Sequence, residues 1–89
     1  MSATAAEIDQ LVREYLAQHD TGPAPAADED LFETGRINSL FVVRLFGFLE
    51  KRFRIKVTMD DLDLANFATI DKITGFVLRK QEAVGAGPR

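Results

Sequence analysis

With 89 residues, 46% of them hydrophobic, no cysteine and a formal charge of −3, the chain makes one small domain, with no disulfide and no thiolate metal site open to it. A net negative charge argues against nucleic acid as a partner, and no apolar run approaches the roughly 18 to 20 residues of a membrane span. A domain of this size buries only about 60% of its unfolded surface, so its core has to be compact.

Thr4, with Glu7 three residues on, has the form of a capping box, and Ile8, Leu11, Val12, Tyr15 and Leu16 follow at helical spacing. The first helix is therefore expected from about residue 5 to 18. The N-terminal Met1-Ser2-Ala3-Thr4 starts no signal peptide, which leads to the expectation of a cytoplasmic protein. His19 to Asp30 carries Gly22, Pro23, Pro25 and an acidic end, which is loop chemistry. His19, the sole histidine, reads as a solvated side chain. Leu31 and Phe32 are the large apolar pair of this long loop and are expected to anchor it to the helices.

The chain is organised around the junction Gly35-Arg36-Ile37-Asn38-Ser39-Leu40. Gly35 can take backbone conformations closed to other residues, which lets the loop turn sharply before Ser39. Asn38 and Ser39 are both good capping residues, so a second helix is expected from about 39 to 53. Val42, Leu45, Phe46, Leu49 and Phe53 form its buried stripe. Leu40, Val43, Arg44, Gly47 and Lys51 fall on the opposite side, with Phe41 and Phe48 on one flank. Nine of these fifteen residues are apolar, more than one stripe requires. The two flanking phenylalanines either pack under the loop or the next helix, or meet a partner protein.

By its residues alone Ser39 is either a helix cap or an exposed, addressable hydroxyl. The flanks Ile37-Asn38-Ser39-Leu40-Phe41, which lack the glycines of a Gly-x-Ser-x-Gly elbow, and the lone His19 as sole candidate base argue against a hydrolase nucleophile.

Arg54 to Thr58 alternates like a strand but is too short and isolated to build a sheet, so it is a connector. Asp60, Asp61 and Asp63 do not make a calcium loop, because Ala65 and Asp71 stand where glycine and glutamate are required. Leu62, Leu64 and Phe67 imply a short third helix, and Thr69 caps a fourth with Ile70, Ile73 and Val77 inside. Residues 1–82 form the expected domain and 83–89 a flexible tail.

The run Asp30-Leu31-Phe32-Glu33-Thr34-Gly35, then Ile37-Asn38-Ser39-Leu40, Leu45 and Leu49-Glu50 to Phe53, resembles the acyl carrier protein family. Ile55-Lys56-Val57, Asp60-Asp61-Leu62 and Phe67-Ala68-Thr69-Ile70 extend the resemblance over roughly residues 5 to 80. It implies an all-α, four-helix carrier bundle with a long loop between the first two helices and a short third one. It also implies that Ser39 carries a 4'-phosphopantetheine arm, derived from coenzyme A, whose thiol holds acyl groups as thioesters. The catalytic groups then belong to partners, namely a phosphopantetheinyl transferase and acyl-loading and acyl-transferring enzymes. The expected partner face is Asn38, Leu40, Phe41, Val43, Arg44, Gly47 and Lys51, and the expected state is a discrete monomer with no metal.

Two features depart from the family pattern. Asn38 stands where the family usually has Asp, and the second helix has Arg44, Lys51 and Arg52 against Glu50 alone, a balance of +2. The form Thr-Gly-x-x-Asn-Ser-Leu-Phe is more similar to carriers of polyketide and hybrid peptide pathways that handle unusual extender units, such as methoxymalonyl or aminomalonyl groups. The competing reading is a helical interaction module that binds a protein through Phe41 and Phe48, with Ser39 only a cap.

Overall fold

The computed structural model describes residues 3–19, 22–61 and 63–86. Three α-helices, α1 (Ala5–His19), α2 (Ser39–Phe53) and α3 (Ile70–Ala86), are joined by the long loop and by two single-turn 3₁₀ segments, Met59–Asp61 and Leu64–Phe67. Among the described residues there is no strand, so the fold is all-α.

Each α-helix begins where its sequence supplies an acceptor for the unpaired amides of the first turn. At α1 the capping box closes in both directions: the Thr4 amide donates to Glu7 Oε1 (2.8 Å) and the Glu7 amide to Thr4 Oγ1 (3.2 Å). At α3 the Lys72 amide donates to Thr69 Oγ1 at 3.0 Å. The helix period then puts Ile8, Val12 and Leu16 of α1, Val42, Leu45 and Leu49 of α2, and Ile70, Ile73, Phe76 and Val77 of α3 into one core. The α1/α3 pair is the most extensive helix contact, and Phe67 joins α2 to α3 through edge-on contacts with Phe46 (4.8 Å) and Phe76 (5.0 Å). Gln81, buried on α3, accepts from the Ala3 amide and donates to its carbonyl, which ties the start of the chain to the bundle.

The expected third helix is instead the two 3₁₀ turns. Local aspartates explain the break, since they offer the backbone partners that compete with α-helical bonding. Asp61 Oδ2 takes the Thr58 amide and hydroxyl (2.8 and 2.9 Å), and Asp63 Oδ1 takes the Ala65 amide at 3.0 Å. Leu62, expected in that helix, lies outside the described residues. The last helix is longer than expected: α3 continues through Ala86, so residues 83–86 are helical, and 87–89 lie outside the described residues. Residues 54–58 are a connector, as expected, held by a bond from the Val57 amide to Glu50 Oε2 (2.9 Å) and by burial of Ile55.

What positions α2 is the loop before it. Leu31 is fully buried, and its amide donates to the Ala68 carbonyl at 2.7 Å. The Leu31 carbonyl in turn accepts from the Arg36 and Ile37 amides. Asp30 gathers the Phe32 and Glu33 amides on its carboxylate, and Gly35 makes the turn at φ +77°. Leu31 thus anchors the loop as expected, while Phe32 is only half-buried.

Candidate functional site

At the junction itself the two capping candidates divide the work. Asn38 has extended backbone, and its Oδ1 accepts from the Phe41 amide at 2.9 Å, so Asn38 is the N-cap of α2. Ser39 is the first helical residue, exposed, and its hydroxyl makes no hydrogen bond among the described residues. A serine that is not needed for capping leaves a primary hydroxyl at the positive end of a fifteen-residue helix, a position that favours an attached anionic group. The residues present therefore fit a phosphodiester-linked arm.

From Ser39 the exposed face of α2 runs through Leu40, Val43, Arg44, Gly47 and Lys51. Leu40 is 65% and Val43 61% exposed, an unusual pair of bare aliphatic side chains beside the serine. The expectations for Leu40, Val43, Arg44, Gly47 and Lys51 as outward residues agree with this placement. Phe41 does not: it is buried, with its ring 5.6 Å from that of Tyr15 and 5.1 Å from that of His19, both on α1. Phe48 is half-buried and stacks on Tyr15 at 4.3 Å and 16°. The excess of apolar residues in α2 is therefore used in part to close the α1/α2 seam, where Phe41 is buried and Phe48 half-buried.

A depression of about 230 Å³ opens beside the junction, lined by His19, Arg36, Ile37, Asn38, Leu40, Phe41 and Arg44. Its Arg36 donates to Glu29 at 2.9 Å. Glu29 is held below the usual carboxylate range, first by a hydrogen bond with Thr34 and then by the Arg36 charge, with burial opposing. Sequence reasoning gave His19 no place here. Its only signal was the tertiary one, that it ends α1 against the Phe41 ring. Among the described residues no three His, Asp or Glu side chains come together to hold a metal ion, and no helix is long and apolar enough to cross a membrane.

A small helical domain that sets an unbonded serine at the start of a well-anchored helix has the build of a carrier for a covalently attached arm. Residues 6–77 match the family described as "Phosphopantetheine attachment site", and the chain belongs to that family. Proteins that it resembles include the D-alanyl carrier proteins of Streptococcus uberis and of Streptococcus pyogenes serotypes M5 and M1. Each is 39% identical over 56 residues, spanning 63% of this chain and 71% of the relative. The protein is thus a carrier with covalently attached 4'-phosphopantetheine. It works as a substrate of a phosphopantetheinyl transferase and of pathway enzymes and performs no catalysis of its own.

Proposed function

We propose that Ser39 is the attachment residue, and that the arm on it carries acyl intermediates as thioesters between the enzymes of a biosynthetic pathway. The observation that carries this reading is the division of labour at the junction: Asn38 makes the cap, and the Ser39 hydroxyl stays exposed and without a partner among the described residues. In the transfer step the Ser39 oxygen attacks the β-phosphate of coenzyme A, adenosine 3',5'-bisphosphate leaves, and the hydroxyl proton passes to a base on the transferase. The product is a phosphodiester next to the α2 N-terminus, whose dipole favours its negative charge.

The pathway reading is a polyketide or hybrid peptide route, supported by the Thr34-Gly35-x-x-Asn38-Ser39-Leu40-Phe41 form and by the basic balance of α2. A second reading, an aminoacyl cargo such as D-alanine, is favoured by the 39% identity to D-alanyl carrier proteins. Both readings place the protein in the cytoplasm, where coenzyme A and activated acyl groups are made.

The test is intact mass after incubation with coenzyme A, Mg²⁺ and a broad-specificity phosphopantetheinyl transferase. Wild type gains one phosphopantetheine and Ser39→Ala gains none; a modified Ser39→Ala protein overturns the assignment. The same measurement on protein from its source cell reads the cargo directly, since an alanyl and a malonyl-type group differ in mass.

A further inference from the structure

The depression beside the junction has a one-sided polar lining. Its apolar part is Ile37 and Phe41, both buried, with the exposed Leu40 at its edge. Its polar side chains are Arg36, Arg44, Asn38 and His19, and no carboxylate is among the described residues that line it. The two guanidinium groups are donors only, and a histidine carries a ring N–H in either protonation state. Asn38 spends its Oδ1 on the Phe41 amide, which leaves its NH₂ as the group on offer. The depression is therefore rich in donors and positive charge, and the one side-chain acceptor left over is the second nitrogen of a neutral His19.

The helix itself does not account for this charge. Lys51 and Arg52 lie in the last turn of α2, where the dipole favours cations, whereas Arg44 stands in the second turn, toward the positive end. Among the described residues Arg44 has no carboxylate partner, while Arg36 is paired with Glu29. Ser39 lies between Asn38 and Leu40, both of which line the depression, so an arm attached there has its root at the rim. The volume of about 230 Å³ is roughly the share of seven or eight waters in the liquid. A head of a few atoms fits in it, and a long chain does not.

We propose that the arm doubles back on its own root and lodges a short acyl head with a free carboxylate, of the malonyl type, in this depression, where the carboxylate meets Arg44 and the donors of Asn38 and His19. The inference rests on Ser39 bearing the arm, and it names the class of cargo that the arm holds. An ionised carboxylate only accepts hydrogen bonds, which is what a lining of donors and cations matches. An aminoacyl head ends in an ammonium group, which only donates and which meets like charge at Arg44. The depression thus separates the two cargo readings in favour of the carboxylated one. The other anion on the arm is its phosphodiester, tethered at Ser39 itself, and a comparison of loaded with unloaded arms tells the two apart.

The experiment uses a broad-specificity phosphopantetheinyl transferase to load isotope-labelled protein with the bare arm, or with arms that end, through a stable amide, in a malonyl head, in its uncharged carboxamide isostere or in an alanyl head. Intact mass checks the loading and thermal denaturation the fold. Backbone amide chemical shifts are then compared at low salt and at about 0.5 M salt. The malonyl head is expected to move the signals of Ile37, Phe41 and Arg44 beyond their positions in the bare-arm protein, while the carboxamide and alanyl heads leave them there. Arg44→Gln is expected to lose most of this displacement, and Lys51→Gln, which changes a cation outside the depression, to keep it. High salt is expected to shrink it. Equal displacement by all three heads, or a larger one from the alanyl head, overturns the proposal. A malonyl head that adds nothing to the bare-arm pattern also overturns it, and where the bare arm has itself displaced these signals the phosphodiester is the anion held. Failure of the wild type to accept any arm is a separate result, read by mass, and overturns the carrier assignment of Ser39 together with this inference.

Discussion

The division between Asn38 and Ser39 can be read out as two substitutions with opposite signatures. Removing the Asn38 side chain strips the Phe41 amide of its 2.9 Å acceptor, and loss of a cap of this kind costs about 1 kcal/mol, within a range of roughly 0.5 to 2. In a domain of this size that corresponds to a fall of about 4 to 8 °C in melting temperature. Ser39→Ala removes a hydroxyl that bonds to nothing described and replaces serine with the best helix former, so its stability is expected to stay level or to rise by less than about 0.7 kcal/mol. Thermal unfolding followed by circular dichroism, with intact mass on the same samples after transferase treatment, gives both numbers. Asn38→Ala should be less stable yet modified, and Ser39→Ala stable yet unmodified. If Ser39→Ala loses as much stability as Asn38→Ala, the serine is a cap after all, and the reasoning from its free hydroxyl fails.

The orientation of α2 is tested by Leu45→Ala, which opens a cavity at a fully buried position and should cost roughly 2 to 5 kcal/mol of a total that is typically 5 to 15. Leu40→Ala, at a side chain 65% exposed, should stay within about 0.5 kcal/mol, and equal losses in chemical denaturation would show that the helix faces the other way. Acid sensitivity should trace in part to Asp61. Burial disfavours its charge, but the hydrogen bond from Lys80 and those from the Thr58 amide and hydroxyl outweigh that and hold its pKa below the ordinary carboxylate value. A depressed folded-state pKa contributes stability above the unfolded pKa, near 4, and loses it as pH falls through the folded value. Asp61→Asn should therefore flatten the decline in stability between neutral pH and about pH 3, and an unchanged pH profile would remove Asp61 from that account.

Those features that depend on neighbours along the chain were legible in the sequence. The capping box at Thr4 and Glu7, the caps at the start of α2 and at Thr69, and the turn at Gly35 each involve groups within four residues of one another, so residue type and spacing suffice to name them. The buried stripes Ile8/Val12/Leu16 and Val42/Leu45/Leu49 follow from the helical period, although Phe46 and Phe53, expected in the second stripe, are only half-buried. So did the prominence of Ser39, since its motif is contiguous. Whether Asn38 or Ser39 closes the helix was beyond the sequence, because both have suitable side chains and the choice lies in the backbone: Asn38 is extended at φ −139°, and its side chain alone reaches the Phe41 amide. Arg54, at φ +55°, ends α2 in a left-handed conformation with no glycine to announce it.

Phe41 shows most plainly what tertiary structure decided. Helical spacing places it on a flank of α2, and a flank is inside or outside only according to what packs beside it. Here Tyr15 and His19, from a helix more than twenty residues earlier in the chain, close over Phe41 and leave Leu40 and Val43 in the open. The period of a helix specifies which residues share a face, but the long-range contacts of the loop, with Leu31 bonded to Ala68 across thirty-seven residues, determine how α2 is set against its neighbours and which of its faces meets the outside.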